Sequence, residues 1–235
     1  MIRAILLTAA LATAALVVDV PASSAAGECK GLQVCIPVAG PWVVIPLPAA
    51  SGSASATWRL VCPQGVVGGT DALASERAVA VEFPGRLGSP VNPGITTTRS
   101  LVFTGTYAGR AHRITSYQPY IGCIPGGGGG PRTPMAFTRV SAVKPGEPIT
   151  TRAKTLRVQA GKLARATVAC TRGERLLRST HSVGLYLGSA PRPAQLAAVR
   201  VVVARRGGRI LVSATRRGLA PGVRAEVQVL AECAR

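Results

Sequence analysis

Acidic side chains are scarce in this sequence. Behind residue 26 there is one aspartate, Asp71, and there are seven glutamates. That leaves little material for hydrolysis by paired carboxylates. Histidine is scarcer still, with only His112 and His181. His112 lies between Arg110 and Arg113, and no G-x-S-x-G elbow exists to set a serine beside either ring. No C-x-x-C pair is present, and the histidines are far apart in sequence, so a structural zinc site lacks a ligand set. The stretch Gly68-Gly69-Thr70-Asp71-Ala72 has no P-loop lysine, and it reads as a turn in which Asp71 caps its own backbone. The five glycines at 126–130 read as a linker rather than a nucleotide loop. No catalytic, cofactor-binding or metal-ligating residue is assigned on these grounds, and no cofactor is expected.

Aromatic residues are equally few: 3 Phe, 2 Trp and 4 Tyr in 235 residues. A core must therefore come from Val, Ala, Leu and Ile. With 27 Gly and 18 Pro the chain has no room for a long amphipathic helix. Tyr186 stands alone in the arginine-rich second half, so base-stacking recognition of nucleic acid is not expected. The one long apolar run, residues 5–18, is shorter than the ~20 residues a spanning helix needs.

That run has another use. Arg3 precedes it, and Pro21-Ala-Ser-Ser-Ala-Ala26 follows it with the small residues that a leader-removing peptidase reads. Residues 1–26 are expected to be a cleavable signal peptide, cut after Ala26 or, next best, after Ala25, with an uncleaved anchor helix as the alternative. No later segment is apolar for long enough to span a membrane, so none is expected after cleavage. Glu28 breaks the small-residue pattern that a lipid-modified Cys29 would require.

All six cysteines lie behind this segment. An even number of thiols in an exported chain reads as a disulfide framework, and six allow 15 pairings. Spacing favours Cys29–Cys35, Cys62–Cys123 and Cys170–Cys233. Period-two alternation places Trp58, Leu60 and Cys62 on one face of a strand and Tyr117, Pro119, Ile121 and Cys123 on one face of another. Ala164 to Cys170 and Val223 to Cys233 alternate in the same way, with Glu226, Gln228, Leu230 and Glu232 on the outward face. Cysteines on inward faces are how an immunoglobulin-type sandwich ties its two sheets together. The tetrads Cys62-Pro-Gln-Gly65 and Cys170-Thr-Arg-Gly173 each open a long cysteine loop, which reads as a degenerate internal repeat.

The expected architecture is all-β, with two immunoglobulin-like antiparallel sandwiches, each holding one inter-sheet disulfide. Residues 27–56 form a disulfide loop and a Pro/Gly/Ser linker in which the prolines allow at most an edge strand. Residues 57–143 form the first sandwich and residues 151–235 an arginine-rich second one.

The formal charge is +19, from 24 Arg and 4 Lys against 9 acids. Residues 27–143 hold 9 basic and 4 acidic residues, whereas residues 144–235 hold 18 and 4. Such an excess draws polyanions, although a GC-rich genome also enriches arginine. Gly207-Gly208 predicts a hairpin between residues 203 and 210. If the strands run up and down in order, that hairpin and the loop at 171–178 share one end of the second sandwich. Arg172, Arg175, Arg205, Arg206 and Arg209 would then form a basic pole for anion binding. Arg192, Arg216, Arg217 and Arg224 would fall at the opposite end.

The elements Cys62-Pro-Gln-Gly65, Gly68-Gly69-Thr-Asp-Ala72, Pro90-Val-Asn-Pro-Gly94 and Gly122-Cys123 resemble uncharacterised exported proteins of high-GC actinobacteria. The second half, from Ala169-Cys170-Thr-Arg-Gly173 through Ala231-Glu-Cys233, resembles the single-disulfide β-sandwich repeats of such proteins. The resemblance implies an extracellular immunoglobulin-like architecture and carries no catalytic residue. The expected function is that of a secreted, non-enzymatic protein of the cell envelope or extracellular space. Its second domain would bind an anionic envelope polymer or a surface protein. A secreted hydrolase or hydrolase accessory module using His112 or His181, and a structural scaffold with no specific ligand, are the alternatives.

Overall fold

In a computed structural model the structure describes residues 27–32, 34–47, 54–83, 99–109, 113–125 and 150–234. Most of the flexible linker expected at 49–56, the glycine run 126–130, His112 and most of the boundary expected near residues 143–150 lie outside them, and residues 54–56 of that linker are not flexible chain but the start of the strand Ala54–Val61. The first half contributes β1 (Ile36–Ala39), β2 (Trp42–Ile45), β3 (Ala54–Val61), β4 (Val66–Ala74), β5 (Val79–Glu82), β6 (Ser100–Tyr107) and β7 (Thr115–Ile124). The second contributes β8 (Thr150–Val158), β9 (Ala164–Ala169), β10 (Arg175–Tyr186), β11 (Val199–Arg206), β12 (Arg209–Arg216) and β13 (Arg224–Ala234). Helix is confined, among the described residues, to the turn Gly27–Cys29 and to α1 (Pro193–Leu196). Glycine and proline density accounts for that scarcity. None of these helices is long and apolar enough to cross a membrane.

Among the described residues all the strand pairs are antiparallel, and they form three sheets. A large sheet runs β1-β7-β2-β10-β13-β8, with β4 on the other edge of β7. Sheet β3-β6-β5 covers the part built on β7, and sheet β11-β12-β9 covers the part built on β10 and β13. The two covering sheets lie on opposite faces. Val43 and Ile45 of β2 enter the core with Trp58, Phe103 and Tyr117, whereas Val44 between them enters the core with Leu185, Ile210 and Val227. Two apolar cores thus share one continuous sheet, and β2, paired with β7 on one side and β10 on the other, is the seam.

Three disulfides close the structure: Cys29–Cys35, Cys62–Cys123 and Cys170–Cys233. The two long ones join a covering sheet to the large sheet, the first from the end of β3 to β7 and the second from the end of β9 to β13. After each first cysteine the tetrad glycine, Gly65 or Gly173, turns the chain with positive φ, +74° and +86° respectively. Bridges of this kind belong to oxidising compartments.

Several elements depart from the sequence reading. β2 is an interior strand, not an edge strand. Its flanking Pro41 and Pro46 fall outside it, so every residue of Trp42–Ile45 keeps its amide donor, and all four are buried. The stretch 68–72 is not a turn. It lies within β4, and a bulge between Val67 and Gly69 takes up the extra residue. On the outward face of β13, Gln228 and Leu230 are buried, because the edge of β3 lies over that face. The alternation of β13 therefore marks the face that enters the second core, while its other face is covered in the middle and partly exposed at Glu226 and Glu232.

Candidate anion-binding face

The hairpin between β11 and β12 turns at Gly207 and Gly208, both with positive φ, and pairs Arg206 with Arg209 and Arg205 with Ile210. β12 then pairs with β9 so that Arg209 stands opposite Ala169, one residue before Cys170. That register places the hairpin tip beside the turn at 171–174. Arg172, Arg175, Arg205, Arg206 and Arg209 therefore share one end of the second half. Arg205 bends toward the large sheet and donates to the Ser179 hydroxyl at 2.8 Å. Arg172, Arg206 and Arg209 are exposed, and among the described residues none of them makes a salt bridge.

The acids near this end are committed elsewhere. Glu174 receives Arg152 of β8, with Nη2 at 2.9 Å from Oε2 and 3.0 Å from Oε1, and it also accepts from the Thr171 amide at 2.9 Å. The Thr171 amide and hydroxyl, followed by Arg152, hold its carboxyl below the ordinary value. Glu174 thus ties the turn to β8. Glu232 pairs with Arg178 at 2.7 Å. At the opposite end Arg216 donates to the Val223 carbonyl, and Arg224 stacks on Tyr186 at 3.4 Å from the ring centre and faces Glu226 at 3.5 Å. Those arginines stabilise the protein itself.

The outer face of the β11-β12-β9 sheet extends the basic end, and sequence reasoning did not find it. Cross-strand rows on this face read Arg206–Arg209–Ala169, Ala204–Leu211–Thr167 and Val202–Ser213–Arg165, with Arg200 beyond them. Val202 and Leu211 are 54% and 38% exposed, an uncommon placement for large apolar side chains in the middle of a face. Together with Lys154 and Thr167 they line an open groove of about 440 Å³. The face is thus an apolar strip framed by cations, without a carboxylate. Matching residue parity along β9, β11 and β12 exposes the pattern, but only once the register between the three strands is known.

His181 sits on β10 at a second groove, of about 560 Å³, with Val44, Ile114, Val183 and Arg200. Burial of its ring pushes its pKa below the ordinary 6.5. Among the described residues no carboxylate lines this groove, and the hydroxyl of the neighbouring Ser182 is engaged by the Thr57 amide at 3.1 Å. The cluster Cys170, Glu174 and Cys233 holds no free thiol, since the two cysteines are bonded to each other. Comparison of the chain with protein-family models, with curated proteins and with solved structures gives no match.

Proposed function

We propose that the chain is a secreted, non-enzymatic protein of the cell envelope or extracellular space, and that its second half holds an anionic polymer. The observation that carries this reading is the Arg206–Arg209 pair, directly opposed across the hairpin with no acid beside it. Like charges in that position destabilise a sheet. Arg172 and Arg205 at the same end, and Arg165 and Arg200 on the outer face, extend the same field. A linear polyanion laid across the face meets several guanidinium groups at once, while its less polar parts meet Val202 and Leu211.

Two immunoglobulin-like units form the scaffold in this reading. In each, five consecutive strands divide between a covering sheet (first, third and fourth) and the large sheet (second and fifth), and a disulfide joins the end of the first strand to the fifth, as in immunoglobulin-type sandwiches. The segment 1–26 is the export signal, and the three bridges form after translocation.

The test is retention on a linear polyphosphate matrix across a range of salt. Replacing Arg205, Arg206 and Arg209 with Gln removes three contacts and is expected to flatten the dependence of log affinity on log salt by about 2 units. The same replacement of Arg192 and Arg217 at the opposite end should leave the slope unchanged. Equal slopes for both variants would make the charge a general property of a structural scaffold and overturn the reading.

A further inference from the structure

The first residues behind the expected cleavage point are seated more firmly than chain ends usually are. Gly27–Cys29 forms a single tight turn, closed by the Lys30 amide donating to the Gly27 carbonyl at 3.1 Å. Its backbone lies in a slot floored by Gly69 of β4 and Gly122 of β7, which are cross-strand partners. A β-carbon at Gly69 would come 1.9 Å from the Glu28 carbonyl oxygen, and one at Gly122 would come 2.3 Å from it. Only a glycine pair leaves this slot open. The Cys29–Cys35 bridge fastens its far side.

At the mouth of the slot the Gly27 nitrogen donates to Asp71 Oδ2 at 2.5 Å, while Asp71 Oδ1 accepts from the Ala72 amide at 2.7 Å. Asp71 is the only aspartate behind residue 26 in a chain of net charge +19. Glu28 beside it is 2% exposed, and its Oε2 has no hydrogen-bond partner. Burial first, and then the charge of Asp71, push the Glu28 carboxyl up. Burial and the same two acids raise the Tyr120 phenol. Among the described residues neither carboxylate meets a lysine or arginine in a salt bridge. Two acids thus lie together in an otherwise basic protein, and one of them, Asp71, is aimed at a backbone nitrogen.

We propose that Asp71 is the receptor for the α-ammonium group that Gly27 acquires when the chain is cut after Ala26. Hydrolysis of the Ala26–Gly27 bond puts the water's oxygen on the departing Ala26 carboxylate and leaves the Gly27 nitrogen as an amine, which takes up a proton at neutral pH. An amide hydrogen bond to Asp71 thereby becomes an ion pair. Processing stabilises the very turn it exposes. The inference rests on the reading of residues 1–26 as a removable leader.

Two oxidised chains test it, one released from a tag to begin at Gly27 and one beginning a residue earlier at Ala26. At low salt the Gly27 chain should melt higher by about 2 °C. Its α-amine should react with cyanate about threefold more slowly or less, because a neighbouring carboxylate keeps it protonated. Both differences should vanish in Asp71→Asn. Should that variant fold poorly, acetylation of the Gly27 amine serves instead and should lower the midpoint to that of the Ala26 chain. Equal midpoints and equal rates for the two starting chains would overturn the receptor. Separately, the mass of the protein exported by its own leader should correspond to a chain that begins at Gly27. A different start would overturn the leader reading while leaving the receptor to be judged on the first two measurements.

Discussion

The free edge of β3 carries backbone groups at Thr57 and Arg59 that have no strand beside them. Side chains of the second half take the place of one. The Gln228 amide accepts from the Arg59 nitrogen at 2.5 Å and donates to the Arg59 carbonyl at 3.0 Å, copying the two bonds of an antiparallel pair. The Ser182 hydroxyl accepts from the Thr57 amide at 3.1 Å. Replacing Gln228 with Leu removes both partners from a covered edge, and chemical denaturation should register a loss of about 1–3 kcal/mol. Tyr117 is the matching device inside the first core. Its hydroxyl lies 3.2 Å from the Ala56 carbonyl and 3.1 Å from that of Phe103, and burial pushes its phenol far above the ordinary range. The ring occupies space that Gly105 vacates, since a β-carbon there would fall 2.2 Å from it. Gly105→Ala should therefore destabilise by about 1–3 kcal/mol through overpacking. Tyr117→Phe, which keeps the ring and loses only the hydrogen bond, should cost about 1 kcal/mol.

At the scale of the element, burial on one face was legible and burial on two was not. The alternation around Trp58, Tyr117, Val168 and Val229 is imposed by each strand's nearest packing partner, so residue parity reveals it. β2 and the middle of β13 are covered on their second face by a sheet from elsewhere in the chain, and nothing local in Trp42–Ile45 or around Gln228 announces that. The basic end was readable for the same reason as the hairpin: Gly207-Gly208 fixes the turn, and the turn fixes Arg206 against Arg209. Arg165 and Arg200 were not readable, because they join the face through pairing between β9, β12 and β11. The turn at 171–174 adds a dependence on pH. The native carboxyl of Glu174 lies below its ordinary value near 4.5, so its contribution is complete at neutral pH. That contribution begins to fall as pH drops through the ordinary value and is lost below the depressed one. A thermal-midpoint profile between pH 7 and pH 2 should show this fall, and Glu174→Gln should flatten that part of the curve. An unchanged acid limb would mean that the contacts of Glu174 with Thr171 and Arg152 add nothing to stability.

For the whole molecule, the repeat is a matter of topology more than of sequence. The order β3-β6-β5 corresponds to β9-β12-β11, the pair β4-β7 corresponds to β10-β13, and β1 and β2 flank β7 as β8 flanks β13. Placed side by side in one antiparallel sheet, the second unit keeps the left-to-right order of the first while its strands run the opposite way. Only a half-turn about an axis lying in the sheet and crossing its strands achieves both, and that half-turn exchanges the faces. The covering sheets must then lie on opposite sides, as Val43 and Val44 record in adjacent positions. A seam of this kind couples the cores, because β2 cannot leave one without leaving the other. Trp58 is buried in the first core, and in a Trp42→Phe background its fluorescence follows that core, whereas Trp42 lies on the seam strand opposite Leu185. Closing a loop of 63 residues stabilises by about 4 kcal/mol in the chain-entropy model. Removing the second-half bridge by Cys170→Ala and Cys233→Ala should therefore lower the melting point by about 10 °C. With a shared sheet, the Trp58 signal should move by the same amount as the far-ultraviolet circular dichroism, in one transition. Trp58 fluorescence that kept its original midpoint while the second half melted early would show that the two cores unfold independently and that the β2–β10 pairing holds neither.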